Sequence, residues 1–172
     1  ERDGARRRAR ASVVSSPIVN VRWRQLAWLS IAELLALSLW FSASAVLPAL
    51  VREWRLGDVA RAWLTNAVQL GFVAGAVLSA ALNLADLVSS RTLIAASAAL
   101  GAATTIVFVL VAHGPATAVP IRFLTGVALA GVYPPGIKLA ASWFKSHRGL
   151  AVGVLVGGLT LGSGSPHAIA AI

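Results

Sequence analysis

Apolar positions in this chain come in five long runs separated by short polar segments. The runs cover about residues 26–48, 62–84, 92–112, 118–144 and 149–172. Each is long enough to cross a hydrocarbon core of about 30 Å at about 1.5 Å per helical residue. The expected fold is therefore all-α, a polytopic transmembrane helical bundle over residues 26–172. Val51 to Arg61 reads as a polar loop in which Arg52, Arg55 and Arg61 face two acids, and a second short loop runs from Asp86 to Arg91. His113-Gly114-Pro115 ends the third run, and a basic turn (Lys145, His147, Arg148) ends the fourth. Pro134-Pro135-Gly136 interrupts the fourth run, which predicts a kinked helix. Small residues recur four apart at Ala67, Gly71, Gly75, Ser79 and Asn83, and again at Gly149, Gly153 and Gly157 beside Gly158, Gly162 and Pro166. In lipid such small residues let backbones approach closely, so Gly71, Gly75, Gly153 and Gly157, with Gly126 on the fourth run, are expected at helix contacts.

Composition strengthens this picture. The chain of 172 residues is 58% hydrophobic and 12% charged, whereas soluble domains carry about 25% charged residues. It has no cysteine, which removes disulfides and thiolate metal sites. No metal-ligand cluster or cofactor motif appears, so neither is expected. With no methionine and an apolar run continuing to Ile172, both ends read as cuts in a longer protein. A net charge of +9 raises the question of nucleic acid, but its placement answers it. Arg2, Arg6, Arg7, Arg8, Arg10, Arg22 and Arg24 all stand in the first 25 residues, a basic tail abutting an apolar run. That is the positive-inside pattern, and each such residue contributes about 1 kcal/mol of attraction to anionic lipid. A lipid bilayer is the expected partner and nucleic acid is not. The N-terminus is placed inside, with the 1–25 tail cytoplasmic.

Polar residues inside the runs are the candidate site, because lipid makes them costly and they are usually functional. Glu33 is the only acid within a run, and a buried carboxyl suits a group that takes up and releases a proton. Trp40 and Phe41 fall near mid-membrane, where transport cavities form. Asn66, Gln69, Tyr133 and His167 complete the polar set, with His167 read as a packing group. Arg122 stands about one turn from the outer end of the fourth run, and snorkelling to the interface is its structural alternative. Glu33 and Arg122 differ in height by about 15 Å at 1.5 Å per residue, so no direct pair is expected. Two decoys are set aside. Gly131 to Lys138 nearly spells a phosphate loop, but its lysine is displaced and no strand precedes it. Ser163, Ser165 and His167 suggest a hydrolase, but residues two apart on a helix do not face each other.

Two stretches carry a resemblance. Leu82-Asn83-Leu84-Ala85-Asp86-Leu87-Val88-Ser89-Ser90-Arg91 resembles a signature of the major facilitator superfamily: Gly-x-Leu-Ala-Asp, a basic residue, x-Gly and two more basic residues. Leu84, Ala85, Asp86 and Arg91 match, while Leu82, Leu87, Ser89 and Ser90 depart from it. Arg122 and Gly126 are similar to a second signature, Arg-x-x-x-Gly, on the fourth span. The resemblance covers the first five of the family's twelve spans, which implies that the C-terminal half is missing. It implies a secondary active transporter of a small solute working by alternating access, with a proton as the expected coupling ion. It makes Asp86 and Arg91 latch residues, and gives Arg122 a part in proton coupling or in holding the first span. The antiporter signature Gly-Pro-x-x-x-Gly-Gly is not present, although Gly157-Gly158 and Ser165-Pro166 stand in another order. The turn from Trp143-Phe144 to Arg148-Gly149 resembles that of anion porters, but the arginine those carry in the second span is missing from this chain. The location implied is a bacterial cell membrane. A non-transporting membrane scaffold and an intramembrane enzyme are the alternatives.

Overall fold

The computed structural model describes residues 17–144 and 146–171, and every regular element among them is a helix. The elements are α1 (Pro17–Ala45), α2 (Leu47–Trp54), α3 (Asp58–Ala81), α4 (Leu84–Leu87), α5 (Ser90–Val111), α6 (Pro115–Leu129), α7 (Tyr133–Trp143) and α8 (Arg148–Ala170). Five segments are long and apolar enough to cross a membrane: Val21–Trp54, Asp58–Ala81, Ser90–Val111, Pro115–Trp143 and Arg148–Ile169. In chain order these are spans 1 to 5. Residues 1–16 of the expected tail and Lys145 of the basic turn lie outside the described residues.

Helix ends follow local chemistry. Asp58 stands in the first turn of α3, where a carboxylate complements the helix dipole. The Ser89 hydroxyl caps α5 by accepting from the Thr92 N–H at 3.2 Å. Proline accounts for the breaks. Pro48 lies in the first turn of α2, so span 1 bends at Val46 rather than ending near residue 48. Its continuation, α2, brings Leu47, Leu50 and Trp54 onto a cluster with Ala43, Leu64 and Phe108. The expected polar loop from Val51 to Arg61 therefore shrinks to residues 55–57. In span 4 the break falls at residues 130–132, ahead of the prolines. Pro134 and Pro135 sit in the first turn of α7, where a missing N–H leaves no bond unmade, so they start a helix instead of interrupting one. Residues 17–25, expected in the tail, form the beginning of α1.

Two close pairings organise the bundle, α3 against α6 and α1 against α8. A Cβ placed on Gly71 would run into the Phe123 carbonyl oxygen, and one on Gly126 into the Val68 carbonyl oxygen. At Gly75 it would lie 2.7 Å from the Val127 oxygen. Backbone thus packs on backbone, which supplies the van der Waals contact that lipid leaves as the main drive for association. In the second pairing Gly158 and Gly162 approach the Ser30 and Leu34 carbonyls. Gly153 and Gly157, expected at such contacts, meet no atom within 4 Å. The neighbouring stripe makes the approach because α8 is rotated to bury Ala151, Leu155 and Gly162. Large apolar side chains such as Trp28, Val109 and Leu161 point outward. They would be a liability in water but suit an acyl-chain surround.

Candidate functional site

Span 1 aims one stripe at the bundle interior. Leu26, Leu29, Glu33, Ala36 and Ala43 recur at helical spacing and are all buried. Glu33 takes a position that its neighbours fill with apolar groups, and it is 0% exposed. Its carboxyl is turned to the start of α7, where a Cβ on Gly136 would collide with Glu33 Oε1. The proline-proline-glycine stretch and the one acid of the apolar runs thus meet, with glycine leaving the space that the carboxyl fills. Neither Glu33 oxygen has a hydrogen-bond partner among the described residues. A buried polar group without a partner is costly and calls for an explanation. Inside a membrane the ordinary explanation is function.

A cavity of about 390 Å³ opens beside it among spans 1, 2, 4 and 5. Glu33, Trp40 and Phe41 contribute from α1, Gln69 from α3 and Tyr133 from α7, which joins five of the six expected substrate or coupling residues. Glu33 forms part of this wall, although its oxygens are tucked towards Gly136 rather than exposed in the open space. Sequence reading missed Phe72, and it missed Thr160 and Ser163 as lining residues. The signal was available, since Phe72 lies three residues after Gln69, and Ser163 three after Thr160, each pair on one helix face. Trp40 meets Phe72 edge to face with ring centroids 5.1 Å apart, and Phe41 lies 6.3 Å from Trp40. His167 is exposed on α8, its ring 6.4 Å from that of Phe41, and does not line the cavity. Asn66 lines a separate surface hollow with Trp63.

Arg122, the sixth expected residue, stands apart from the cavity. It is 1% exposed, so it does not snorkel. Its Nη1 donates to the Leu39 carbonyl at 3.1 Å, and its Nη2 donates to the Trp40 carbonyl. The guanidinium ties span 4 to span 1 directly behind the residues that wall the cavity. It forms no ion pair with Glu33. Nearby, Thr125 bonds Thr104 at 3.0 Å and links span 4 to span 3.

At the end of the bundle carrying α4, Asp86 pairs with Lys138 of α7 at 2.8 Å. The Lys138 hydrogen bond and charge hold the Asp86 carboxyl below its ordinary range. Sequence reading met Lys138 only as a failed phosphate-loop lysine, because its partner lies 52 residues away. Arg91 donates instead to Gln25 Oε1 of α1 at 3.3 Å, so the two expected latch residues hold different helices.

A family model described as Major Facilitator Superfamily matches residues 29–166. No curated protein matches the chain, and no solved structure does.

Proposed function

We propose a transport mechanism from one premise: the chain belongs to the Major Facilitator Superfamily. It is a multi-pass membrane protein of a transporter superfamily, and a bilayer and a small solute are its partners. In our reading the cavity among spans 1, 2, 4 and 5 is part of the solute site. It alternates between the two sides of a bacterial cell membrane as helices rock about it. Glu33 carries the coupling proton. The observation behind this is a carboxyl that is buried, unpartnered and set in a cavity wall. A polar residue is retained in a membrane interior where it serves an ion or substrate path. Arg22, Arg24, Arg91, Lys138 and Arg148 stand towards the α4 end and Arg52, Arg55 and Arg61 towards the other, which supports a cytoplasmic N-terminus. The Asp86–Lys138 and Arg91–Gln25 contacts serve as the latch at that inner end.

The test is accumulation of a panel of small cations, anions and neutral solutes in cells expressing the full reading frame that encodes this chain. The expected result is transport of one class, inward or outward, that a protonophore collapses and that Glu33→Gln abolishes at unchanged membrane abundance. Transport that keeps its proton dependence in the Glu33→Gln variant would remove Glu33 from the mechanism. No transport of any solute above control, in either direction, would favour the scaffold.

A further inference from the structure

The cavity's chemistry narrows the solute beyond what family membership implies. Its walls are largely apolar, with four aromatic side chains, Trp40, Phe41, Phe72 and Tyr133, among aliphatic ones. Glu33 is the charged group among the described residues that line it, and no lysine or arginine does. The nearby cations are engaged elsewhere, Arg122 on the Leu39 and Trp40 carbonyls and Lys138 on Asp86. Of the other titratable groups close by, Tyr133 is in the wall, and His167 is exposed with its ring 6.4 Å from that of Phe41 and does not line the cavity.

Three kinds of solute meet these walls differently. An anion would face a carboxyl and the electron-rich faces of aromatic rings, and among the described lining residues Gln69, Tyr133, Thr160 and Ser163 are the groups that could receive it. Burying it there would leave its charge uncompensated. A neutral solute would leave the Glu33 carboxyl as unpartnered as it is now. A cation with apolar substituents satisfies both features at once. Its charge pairs with the carboxyl, and its substituents lie on the rings, where cation–π attraction adds to burial. The volume of about 390 Å³ is near the lower end for small-molecule pockets, which favours a compact ligand.

We propose that this cavity binds a small organic cation, an ammonium with apolar or aromatic substituents, with Glu33 as its counter-ion and Trp40 as a ring wall. The proposal rests on the reading of the cavity as the solute site, and the coupling proton and the cation occupy the Glu33 carboxylate by turns, so the two are exchanged rather than carried together. To pair with the cation, the carboxyl turns from Gly136 into the cavity.

The probe is benzyltrimethylammonium, measured by equilibrium binding to the purified full-length protein beside its uncharged carbon isostere, neopentylbenzene. The wild type is expected to bind the cation saturably and more tightly than the isostere. Glu33→Gln should weaken the cation by roughly tenfold or more, as loss of a buried charge partner does, and leave the isostere unchanged. Glu33→Asp keeps the charge and should retain most of the binding. Should Glu33→Gln fold poorly, Trp40→Leu serves instead, lowering affinity for the cation more than for the isostere. Equal affinity for cation and isostere, or a Glu33→Gln variant that binds the cation as the wild type does, overturns the proposal. Glu33-dependent uptake of an anion overturns it too and leaves the transport reading standing. Cation binding without any gradient-driven transport in either direction supports the site and overturns the transport reading alone.

Discussion

Two buried charged residues, Glu33 and Arg122, meet opposite solutions to the same problem. Arg122 donates from its two terminal nitrogens to two carbonyls of span 1, which commits its charge to structure, while its Nε has no partner among the described residues. Glu33 has no donor among the described residues, which leaves it available. Asp86 illustrates a third case, an exposed carboxylate whose partner is a lysine on another helix. Its folded value lies below the ordinary aspartate range because Lys138 bonds and attracts the charged form. A lowered folded value means that the pair stabilises the protein above that ordinary range, and that the gain is lost as pH falls through the folded value. Thermal unfolding should therefore show Asp86→Asn melting slightly lower than wild type at neutral pH and low salt. The gap should close in acid and shrink in high salt, because the pair is open to solvent. A gap independent of both would show that Asp86 acts through something other than Lys138.

At the scale of elements, close approach of spans 2 and 4 depends on glycines that face backbone. A methyl on Gly126 meets the Val68 carbonyl and the Phe72 N–H, neither of which can rotate away. Gly126→Ala should cost about 1–3 kcal/mol, the ordinary range for overpacking, and should lower the melting temperature and membrane abundance. Gly153→Ala meets no atom within 4 Å and should leave both unchanged. Equal losses from the two would mean that the Gly153 face is covered by a further element. The glycine stripe of span 2 was legible in the sequence because four-residue spacing fixes a helix face whatever packs on it. Which of the two stripes on span 5 would pack was not legible, since both have the right spacing and only the rotation of α8 chooses between them. The runs themselves were legible to within a few residues, because hydrophobic length is a property of each segment alone. Breaks at Val46 and at residues 130–132 were misplaced for one reason. Proline was read as ending a helix, whereas Pro48, Pro134 and Pro135 each occupy a first turn and begin one.

At the scale of the whole molecule, four spans converge so that residues far apart in sequence share one cavity. Its polar members from spans 1, 2 and 4 could be named in advance, because an acid, an amide and a tyrosine stand out in apolar runs. That they meet, and that Arg122 stays apart, depends on helix rotations which periodicity does not set. The central claim is that this cavity admits water and solute while the opposite faces of the same helices meet lipid. Residues 1–172 hold no cysteine, so a single thiol can be placed among them once any cysteine elsewhere in the reading frame is replaced. Ser163 lines the cavity and Leu161, two residues earlier and 68% exposed, points the other way. The measurement is the rate at which a water-soluble, membrane-impermeant thiol reagent labels Ser163→Cys and Leu161→Cys in membranes. The account predicts labelling of Ser163→Cys, slowed by an excess of benzyltrimethylammonium, and little labelling of Leu161→Cys. Labelling of Leu161→Cys as fast as Ser163→Cys, or no labelling of Ser163→Cys from either side, would contradict it.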